Sequence, residues 1–555
     1  MRSWEATLVV VVVGLPTLGR MLPALEVGAK ESSDSPKPKR QNGHSLSSPS
    51  KRQKVAQAEK AREQQEIQGI PSDLGSVRVQ FYDQATGNAT GPAVSVPVAD
   101  ANVKNLETLL NTLQGNDDEG RVPYRFTHQS EKEGETIDIL SDVYHSLLQP
   151  GIKTTEDTIS LYFTPQAVFR VRAVSRCAAS IAGHGEAILA TSFSPVSSST
   201  MVSGSGDSTA RIWDCDMGVP LHTLKGHTSW VLAVAYSPNG AMIATGSMDN
   251  TVRFWDAKKG QALGGPLKGH AKWITNLAWE PYHVQESGRP RLASASKDST
   301  VRVWDVVSRV IDHVLTGHKS SVTCVKWGGT GKIYTASHDK TIKIWNPKDG
   351  TLLQTLSAHA HRVNHLALST DFALRTAYHD HTGKVPATEA EKVAAARKRF
   401  EEAATVNNKI VERLVSASDD FTMYLWEPSS SNKPVARMLG HQKEVNHVTF
   451  SPDMAYIASA GFDNHVKLWN GRDGKFINTF RGHVGAVYQC CFSADSRMLV
   501  SSSKDTTLKI WNVRTGKLSM DLPGHKDEVF AVDWSPDGQK IGSGGKDKAI
   551  KIWRN

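Results

Sequence analysis

Cysteine, long hydrophobic runs and catalytic signatures are scarce in this 555-residue sequence. Its five cysteines include no C-x-x-C pair, which argues against zinc sites and disulfide frameworks and favours a reducing compartment. The apolar run Leu8–Val13 is far too short to cross a bilayer, so no membrane association is expected. Gly542–Lys546 lacks the spacing of a phosphate-binding loop, and the cluster of His359, His361 and His365 lacks an H-E-x-x-H motif.

Charge is distributed unevenly along the chain, whose net charge is +9. Residues 76–165 carry 6 basic and 13 acidic side chains, whereas residues 166–555 carry 48 and 35. This asymmetry suits a protein that rests on nucleic acid, although an ordinary soluble surface is the alternative. Residues 1–66 are predicted to be a disordered basic tail, in which Lys37–Arg40 and Lys51–Lys54 have the form of a two-part nuclear import signal or of a solvated charge run.

Eight Asp residues are each followed six residues later by a Trp, and each has a His upstream that follows a Gly or Ala. This pattern resembles WD40 repeats, each forming one four-stranded blade of a β-propeller. The same trio in eight copies indicates a scaffold, so we predict no enzyme activity. The structural repeat residues are His184, Asp207 and Trp213; His227, Asp249 and Trp255; His270, Asp298 and Trp304; His318, Asp339 and Trp345; His359, Asp420 and Trp426; His441, Asp463 and Trp469; His483, Asp505 and Trp511; and His525, Asp547 and Trp553.

Residues 166–555 are therefore predicted to form an eight-bladed propeller. The sequence stops two residues after Trp553, so the last blade has no outer strand after its Trp. Ala178–Ala182 occupies the position of an outer strand and is expected to close the ring. The long interval between His359 and Asp420 predicts a helical insertion at about 378–410, begun by a capping box at Thr388. This helix is expected to pack on the propeller's side or to contact rRNA or a partner.

Residues 67–165 are predicted to form a smaller α+β module, which makes the fold class mainly β. Val77–Phe81 and Val94–Val98 alternate as strands, and residues 102–114 have the apolar stripe of a helix. Asp100 or Asn102 is available as the N-cap of this helix, and Gly115 as its stop. Three further strands and a short helix follow. This order of elements resembles a ubiquitin-like fold.

The module and the repeats occur together with Val168-Phe169-Arg170-Val171-Arg172 at their junction, Arg375 in blade five, and Asp521-Leu522-Pro523-Gly524-His525. This combination closely resembles the Notchless family. The resemblance implies a non-catalytic assembly factor of the large (60S) ribosomal subunit in the nucleus and nucleolus. The propeller would dock on the pre-60S particle as a monomer, and the module would bind the AAA ATPase midasin, which couples ATP hydrolysis to remodelling of the particle.

The loop before the last strand of the module carries Glu156 and Asp157. The residues alone indicate a polar turn. The resemblance implies that this pair binds the partner, with Glu156 as a ligand in trans to a Mg²⁺ held by midasin's adhesion-type domain. The chain would then need no cofactor of its own.

Four basic residues precede the repeat Asp in their blades: Lys297, His338, Lys504 and Lys546. They are expected to contact rRNA phosphates or a partner, with solvated side chains as the alternative. A rival function is a WD40 substrate adaptor of a ubiquitin ligase or a signalling scaffold. We find no F-box-like docking motif in the sequence to support it.

Overall fold

The computed structural model describes residues 75–555 except 85, 116–121, 130–135, 140–141, 167–170, 287, 381–384 and 407–408. The predicted basic tail and its import signal lie outside these residues. The chain divides into two compact units, Gly87–Thr164 with the strand before it and Pro165–Asn555. None of the helices in the described ranges is both long and apolar enough to cross a membrane.

In its described residues, the smaller unit is a five-stranded mixed sheet with one α-helix. Its elements are β1 (Ser76–Asp83), β2 (Ala89–Pro97), a 3₁₀ turn (Val98–Asp100), α1 (Val103–Gln114), β3 (Tyr124–Gln129), β4 (Thr136–Ile139), a π-helical turn (Tyr144–Leu148) and β5 (Thr158–Pro165). The strand order is β2-β1-β5-β3-β4, and β1 pairs in parallel with β5. The ubiquitin-like assignment of this module stays a prediction.

Helix α1 begins and ends where the sequence pattern places its caps. The side chain of Asn102 accepts a hydrogen bond from the backbone N–H of Asn105 at 2.9 Å. Gly115 ends the helix in the left-handed conformation, with φ of 72°. Leu106 and Leu110 are fully buried against the sheet, together with β1 and β5 side chains such as Phe81.

Within the described residues, the larger unit contains eight blade sheets that follow one another along the chain, and a separate two-stranded sheet in the insertion of blade five. Blade one comprises β7 (Ile188–Phe193), β8 (Thr200–Ser205), β9 (Thr209–Asp214) and β10 (Val219–Lys225). Blade two comprises β11 (Val231–Tyr236), β12 (Met242–Ser247) and β13 (Val252–Asp256). Blade three comprises β14 (Ile274–Trp279), β15 (Arg291–Ser296), β16 (Val301–Asp305) and β17 (Ile311–Leu315). Blade four comprises β18 (Val322–Trp327), β19 (Ile333–Ser337), β20 (Thr341–Trp345) and β21 (Leu352–Ser357).

The second half of the ring has the same organisation. Blade five comprises β22 (Val363–Leu368), β25 (Leu414–Ser418), β26 (Thr422–Trp426) and β27 (Ala436–Leu439). Blade six comprises β28 (Val445–Phe450), β29 (Tyr456–Gly461), β30 (Val466–Asn470) and β31 (Phe476–Phe480). Blade seven comprises β32 (Val487–Phe492), β33 (Met498–Ser503), β34 (Leu508–Asn512) and β35 (Leu518–Leu522). Blade eight comprises β36 (Val529–Trp534), β37 (Lys540–Gly545), β38 (Ala549–Arg554) and, as its outer strand, β6 (Arg176–Ala182).

The ring is closed by a strand from the start of the propeller. Strand β6 pairs antiparallel with β38, from Arg176 opposite Arg554 to Ala182 opposite Ala549. The inner strand of each blade contacts the inner strands on both sides, and β36 of blade eight contacts β7 of blade one. Strand β6 therefore supplies the outer strand of blade eight, as the sequence predicts, and the seam of the ring has no open edge.

Blade two departs from the predicted four strands. Its outer segment makes only isolated bridges, between Trp255 and Ala262 and between Val252 and Leu267. The intervening sequence contains Gly264-Gly265-Pro266. Glycine weakens a strand and proline cannot donate to the ladder, so a continuous outer strand does not form.

Every blade contains the same chain of hydrogen bonds. The Trp Nε1–H donates to a Ser or Thr hydroxyl at 2.7–2.9 Å. The His Nε2 lies 2.8–2.9 Å from the same oxygen. The His Nδ1 lies 2.7–2.9 Å from an Asp carboxylate oxygen. The hydroxyls belong to Ser203, Thr245, Ser294, Thr335, Ser416, Ser459, Ser501 and Ser543.

The insertion in blade five lies between β22 and β25. It contains α2 (Asp371–Thr376), α3 (Glu389–Ala404), and the short strands β23 (Thr405–Val406) and β24 (Lys409–Ile410). Helix α3 begins with the predicted capping box at Thr388. Its buried face includes Phe400, which stacks on His283 of the loop after β14 with ring centroids 4.8 Å apart. Arg397 and Lys398 on the outer face are mostly exposed and pair with glutamates one turn further along.

Helix α2, which the sequence did not predict, contacts blades on different sides of the ring. Asp371 at its start pairs with Lys326 of blade four at 2.9 Å. Arg375 near its end donates to both carboxylate oxygens of Asp533 in blade eight, at 2.8 Å for one of them, and to the carbonyl of Phe193 in blade one at 3.3 Å. Blades one and five lie opposite each other in the ring, so this side chain links opposite sides of the propeller.

The shared hydroxyl predicts a stability difference between two conservative changes. Ser459→Ala removes the acceptor for Trp469 and the partner of His441, so we expect the free energy of unfolding to fall by about 2 kcal/mol. Ser459→Thr should be close to wild type, because Thr245 and Thr335 fill this position in blades two and four. Tryptophan fluorescence during urea unfolding measures both. Equal stability of the Ala and Thr variants would contradict the role of the hydroxyl.

The repeat Asp residues predict an acid transition of the propeller. Burial by itself raises the pKa of each of these carboxyl groups. Hydrogen bonds from the His, from neighbouring N–H groups and, in most blades, from a Thr lower the pKa by more than burial raises it. Every pKa therefore lies below the ordinary value of 3.8, and that of Asp463 is about 2. A depressed folded-state pKa stabilises the protein above the unfolded value, and this stability is lost as pH falls through the folded value. The thermal midpoint should therefore fall steeply below about pH 4.

Arg375→Met breaks the link across the ring and leaves Asp533 buried without its cation. We expect this variant to lower the free energy of unfolding by about 3 kcal/mol. Arg375→Lys, which keeps the charge without the two-pronged geometry, should lie between this variant and wild type. Arg397→Met on the exposed face of α3 is the matched control and should change stability by less than about 0.5 kcal/mol. Urea unfolding midpoints measure the stability of the three variants. An unchanged midpoint for Arg375→Met would show that the link does not stabilise the ring.

Candidate functional site

The loop that carries Glu156 and Asp157 runs from the π-helical turn to β5. Gly151 turns the chain with φ of 72°. The carbonyl of Leu147 then accepts hydrogen bonds from the N–H groups of Ile152, at 3.0 Å, and Lys153, at 3.2 Å. These bonds fix the start of the loop to the module, and β5 fixes its end.

Asp157 is used within the loop itself. Its Oδ2 accepts hydrogen bonds from the backbone N–H of Thr154 at 2.9 Å and from the Thr154 hydroxyl at 2.8 Å. The backbone N–H of Asp157 donates back to the Thr154 carbonyl at 3.3 Å. The bonds from Thr154 lower the pKa of Asp157 below its ordinary value, so this carboxylate is ionised at neutral pH.

Glu156 lies between these fixed points and has a different environment. Its side chain is exposed, and within the described part of the chain it makes no hydrogen bond or ion pair. The structure therefore separates two neighbouring acidic residues, one that holds the loop and one whose carboxylate is available. A carboxylate of this kind suits a hard divalent cation that has an open coordination position.

Two of the four predicted basic contact residues pair with carboxylates of blade eight. Lys504 Nζ lies 3.9 Å from Glu528 Oε1, and Lys546 Nζ lies 3.4 Å from Asp527 Oδ2. Both lysines are exposed. Their positive charge is partly offset by these neighbours.

The other two predicted contact residues are partly buried. Lys297 Nζ lies over the ring of Trp273, 4.1 Å from its centroid. Burial lowers the pKa of His338 to about 4, so its imidazole is neutral at pH 7. The four positions therefore do not form a uniformly positive surface, and their contact with rRNA or a partner stays a prediction.

The repeat histidines form the buried hydrogen-bonded chains described above. Among the residues that the structure describes, no group of three or more His, Cys, Asp or Glu side chains is arranged to hold a metal ion. His359 is bonded to Asp420 and Ser416 within its own blade, whereas His365 stacks on His447 with centroids 4.2 Å apart. His359 and His365 therefore have separate roles, the first within its own blade and the second in a contact with blade six.

Comparison with known proteins identifies both units. The family model described as WD domain, G-beta repeat, matches residues 175–214, 218–256, 262–305, 310–346, 432–470, 474–512 and 516–554, and the NLE (NUC135) domain model matches residues 77–137. Ribosome assembly protein 4 of Chaetomium thermophilum is 57% identical over 77% of this chain and 84% of its own length. The Notchless protein homolog of Arabidopsis thaliana is 47% identical over 74% of this chain and 84% of its own length. The chain belongs to the Notchless family.

Other comparisons agree with this membership. Ribosome assembly protein 4 of Saccharomyces cerevisiae is 55% identical over 78% of this chain and 84% of its own length. The names of these relatives connect the Notchless family to ribosome biogenesis, and this chain is a non-catalytic member of it. Among solved structures, the computationally designed Ika8 protein has a TM-score of 0.53 and 26% identity, covering 69% of this chain and all of that one.

Sequence reasoning missed residues that support the loop. Thr154 was not singled out, although its spacing three residues before Asp157 is typical of a side-chain-bonded turn. The carbonyl of Leu147, which holds two N–H groups of the loop, has no sequence signal at all. The resemblance favoured Glu156 over Asp157 as the ligand, and this assignment stays a prediction.

Proposed function

We propose that this protein is an assembly factor of the large ribosomal subunit that works in the nucleus and nucleolus. The propeller docks on the pre-60S particle, and the NLE-type module binds the Mg²⁺-containing adhesion-type domain of the ATPase midasin. ATP hydrolysis then occurs in the partner, and this chain transmits the resulting force to the particle. Membership of the Notchless family and the names of its relatives support the ribosomal part of the proposal.

The observation that carries the midasin contact is the exposed carboxylate of Glu156. A Mg²⁺ ion prefers oxygen ligands in octahedral geometry, and a partner domain with an open position is completed by a carboxylate from outside. Glu156 makes no bond to the described residues, so binding breaks no existing contact of its side chain. Asp157 acts as a positioning residue, because its bonds to Thr154 keep the loop in one conformation.

The propeller is suited to bear a load because it is closed and linked across its centre. The β6–β38 pairing removes the free edge, and Arg375 joins blade five to blades one and eight. A rigid ring transmits an applied force with little local deformation. These contacts support the proposed transmission of force from the module to the particle.

Glu156 gives a test of the metal contact. Glu156→Asp keeps the charge but shortens the side chain by one methylene, and Glu156→Gln removes the charge. We expect each to weaken Mg²⁺-dependent binding to the midasin domain by at least about tenfold, equivalent to ~1.4 kcal/mol. Calorimetric titration of the full chain against that domain, with and without EDTA, measures the loss.

The matched control is Asp100→Asn, which removes one exposed negative charge elsewhere on the module and should bind like wild type. Purification of wild type and Glu156→Asp from nuclei provides the cellular arm. Pre-60S particles should accompany both proteins, because the propeller is unchanged. Unaltered Mg²⁺-dependent binding by Glu156→Asp would reject the ligand, whereas recovery of ubiquitin-ligase subunits without ribosomal precursors would favour an adaptor.

A further inference from the structure

The module is joined covalently to the propeller by the chain that leads from β5 to β6. Pro165 ends β5 of the module, and Arg176 begins β6, the strand that closes the ring. A pull applied directly to Arg176 would act on the free end of an outer strand. Antiparallel ladder bonds loaded from one end break one after another, which is the weakest way to load a strand.

The chain is held to the propeller before it reaches β6. The backbone N–H of Val171 donates to Asp495 Oδ2 in blade seven at 2.8 Å, and this bond is buried. The backbone N–H of Ser175 donates to the carbonyl of Arg554 at 3.2 Å, which continues the β6–β38 ladder by one bond. Residues 171–175 are therefore bonded to blade seven at one end and to blade eight at the other.

Two valines of this segment are part of the propeller's core. Val174 is fully buried and Val171 is 8% exposed, and both belong to the cluster formed by blades seven and eight around Met498 and Trp534. The fit against blade eight is close. A Cβ on Gly538 would come within 2.2 Å of a Val171 methyl group, so only glycine leaves room for this valine.

Asp495 differs from its counterpart in a neighbouring blade. In blade seven, Oδ1 accepts from the Ser493 hydroxyl at 2.6 Å and from the N–H of Arg497 at 3.2 Å, which leaves Oδ2 for Val171. In blade six, Asp453 makes the same pair of bonds, to Ser451 and Ala455. Asp453 Oδ2 has no partner among the described residues. The additional bond is thus specific to the blade next to the seam.

We propose that Val171–Ser175 is a load-bearing anchor, which carries a pull on the module into blades seven and eight before it reaches β6. The inference rests on the proposed function, in which the module is pulled by an ATPase. The buried N–H bond and the two valines must give way before β6 is loaded from its end. The anchor gives the Val171-Arg172 part of the junction motif a mechanical role.

Single-molecule force measurement on the full chain tests the anchor. Handles attached through unnatural amino acids at Gln166 and at the exposed Lys348 of blade four place the load on this segment and leave the module out of the path. Asp495→Asn replaces the acceptor facing Val171 with an amide. We expect the lifetime of the first rupture under constant load to shorten about tenfold. Val171→Ser should shorten it by a similar factor.

Two controls separate the anchor from general stability. Asp453→Asn makes the same chemical change in blade six and should leave the lifetime unchanged. With handles at Lys433 and Lys348 the load bypasses the anchor, so Asp495→Asn should then rupture like wild type. Wild-type lifetimes for both Asp495→Asn and Val171→Ser with the Gln166 handle would overturn the proposal.

The midasin contact is tested independently of the anchor. Asp495→Asn should keep Mg²⁺-dependent binding to the midasin domain, because Glu156 is untouched. Loss of binding in Glu156→Asp with normal rupture in Asp495→Asn would reject the anchor alone. Normal binding in Glu156→Asp with early rupture in Asp495→Asn would reject the metal contact and leave the anchor as a mechanical property of the propeller.

Discussion

The propeller depends on one hydrogen-bonded chain, from Trp through a hydroxyl and His to Asp, made once in each blade. The Asp uses both carboxylate oxygens in all eight blades. One oxygen contacts the His and accepts the backbone N–H of the residue that follows the His. The other oxygen accepts the backbone N–H of the residue two positions after the Asp. The residue between is held in the left-handed conformation, with φ of 64–72° in all eight blades. Non-glycine residues rarely adopt this conformation, so the buried chain of bonds maintains a turn that the local sequence would not favour.

Because this chain of bonds is local to each blade, the connections between strands are free to vary. Blade five keeps its His359–Asp420 bond although 61 residues separate the two side chains. The additional residues form α2 and α3, and Arg375 of α2 reaches the opposite side of the ring. The same insertion is held by Glu412, a buried carboxylate that accepts bonds from blade four and from Thr370. The insertion in blade five therefore also connects this blade to blades one, four and eight.

A similar division of roles occurs where the chain offers neighbouring or repeated carboxylates. In the module, one carboxylate oxygen of Asp157 accepts two bonds from Thr154, whereas its exposed neighbour Glu156 makes none to the described residues. In the propeller, Asp495 and Asp453 occupy equivalent turns, but only the first also binds the segment that leads from the module. In both cases, carboxylates that are alike in sequence differ in the bonds that the fold gives to their oxygens.

The sequence by itself determined the elements that local patterns encode. The Asp–Trp spacing gave the number of blades, the missing strand after Trp553 identified β6, and the caps at Asn102, Gly115 and Thr388 located two helices. These features are encoded within one turn, within one repeat or by the repeat pattern as a whole. Only the tertiary structure decided that Arg375 pairs with Asp533, that Asp495 holds Val171, and that Asp157 accepts bonds from Thr154. The first two contacts join residues 158 and 324 positions apart, and no periodicity encodes them. The third depends on how a short loop is folded back on its own side chains, which composition and spacing do not specify.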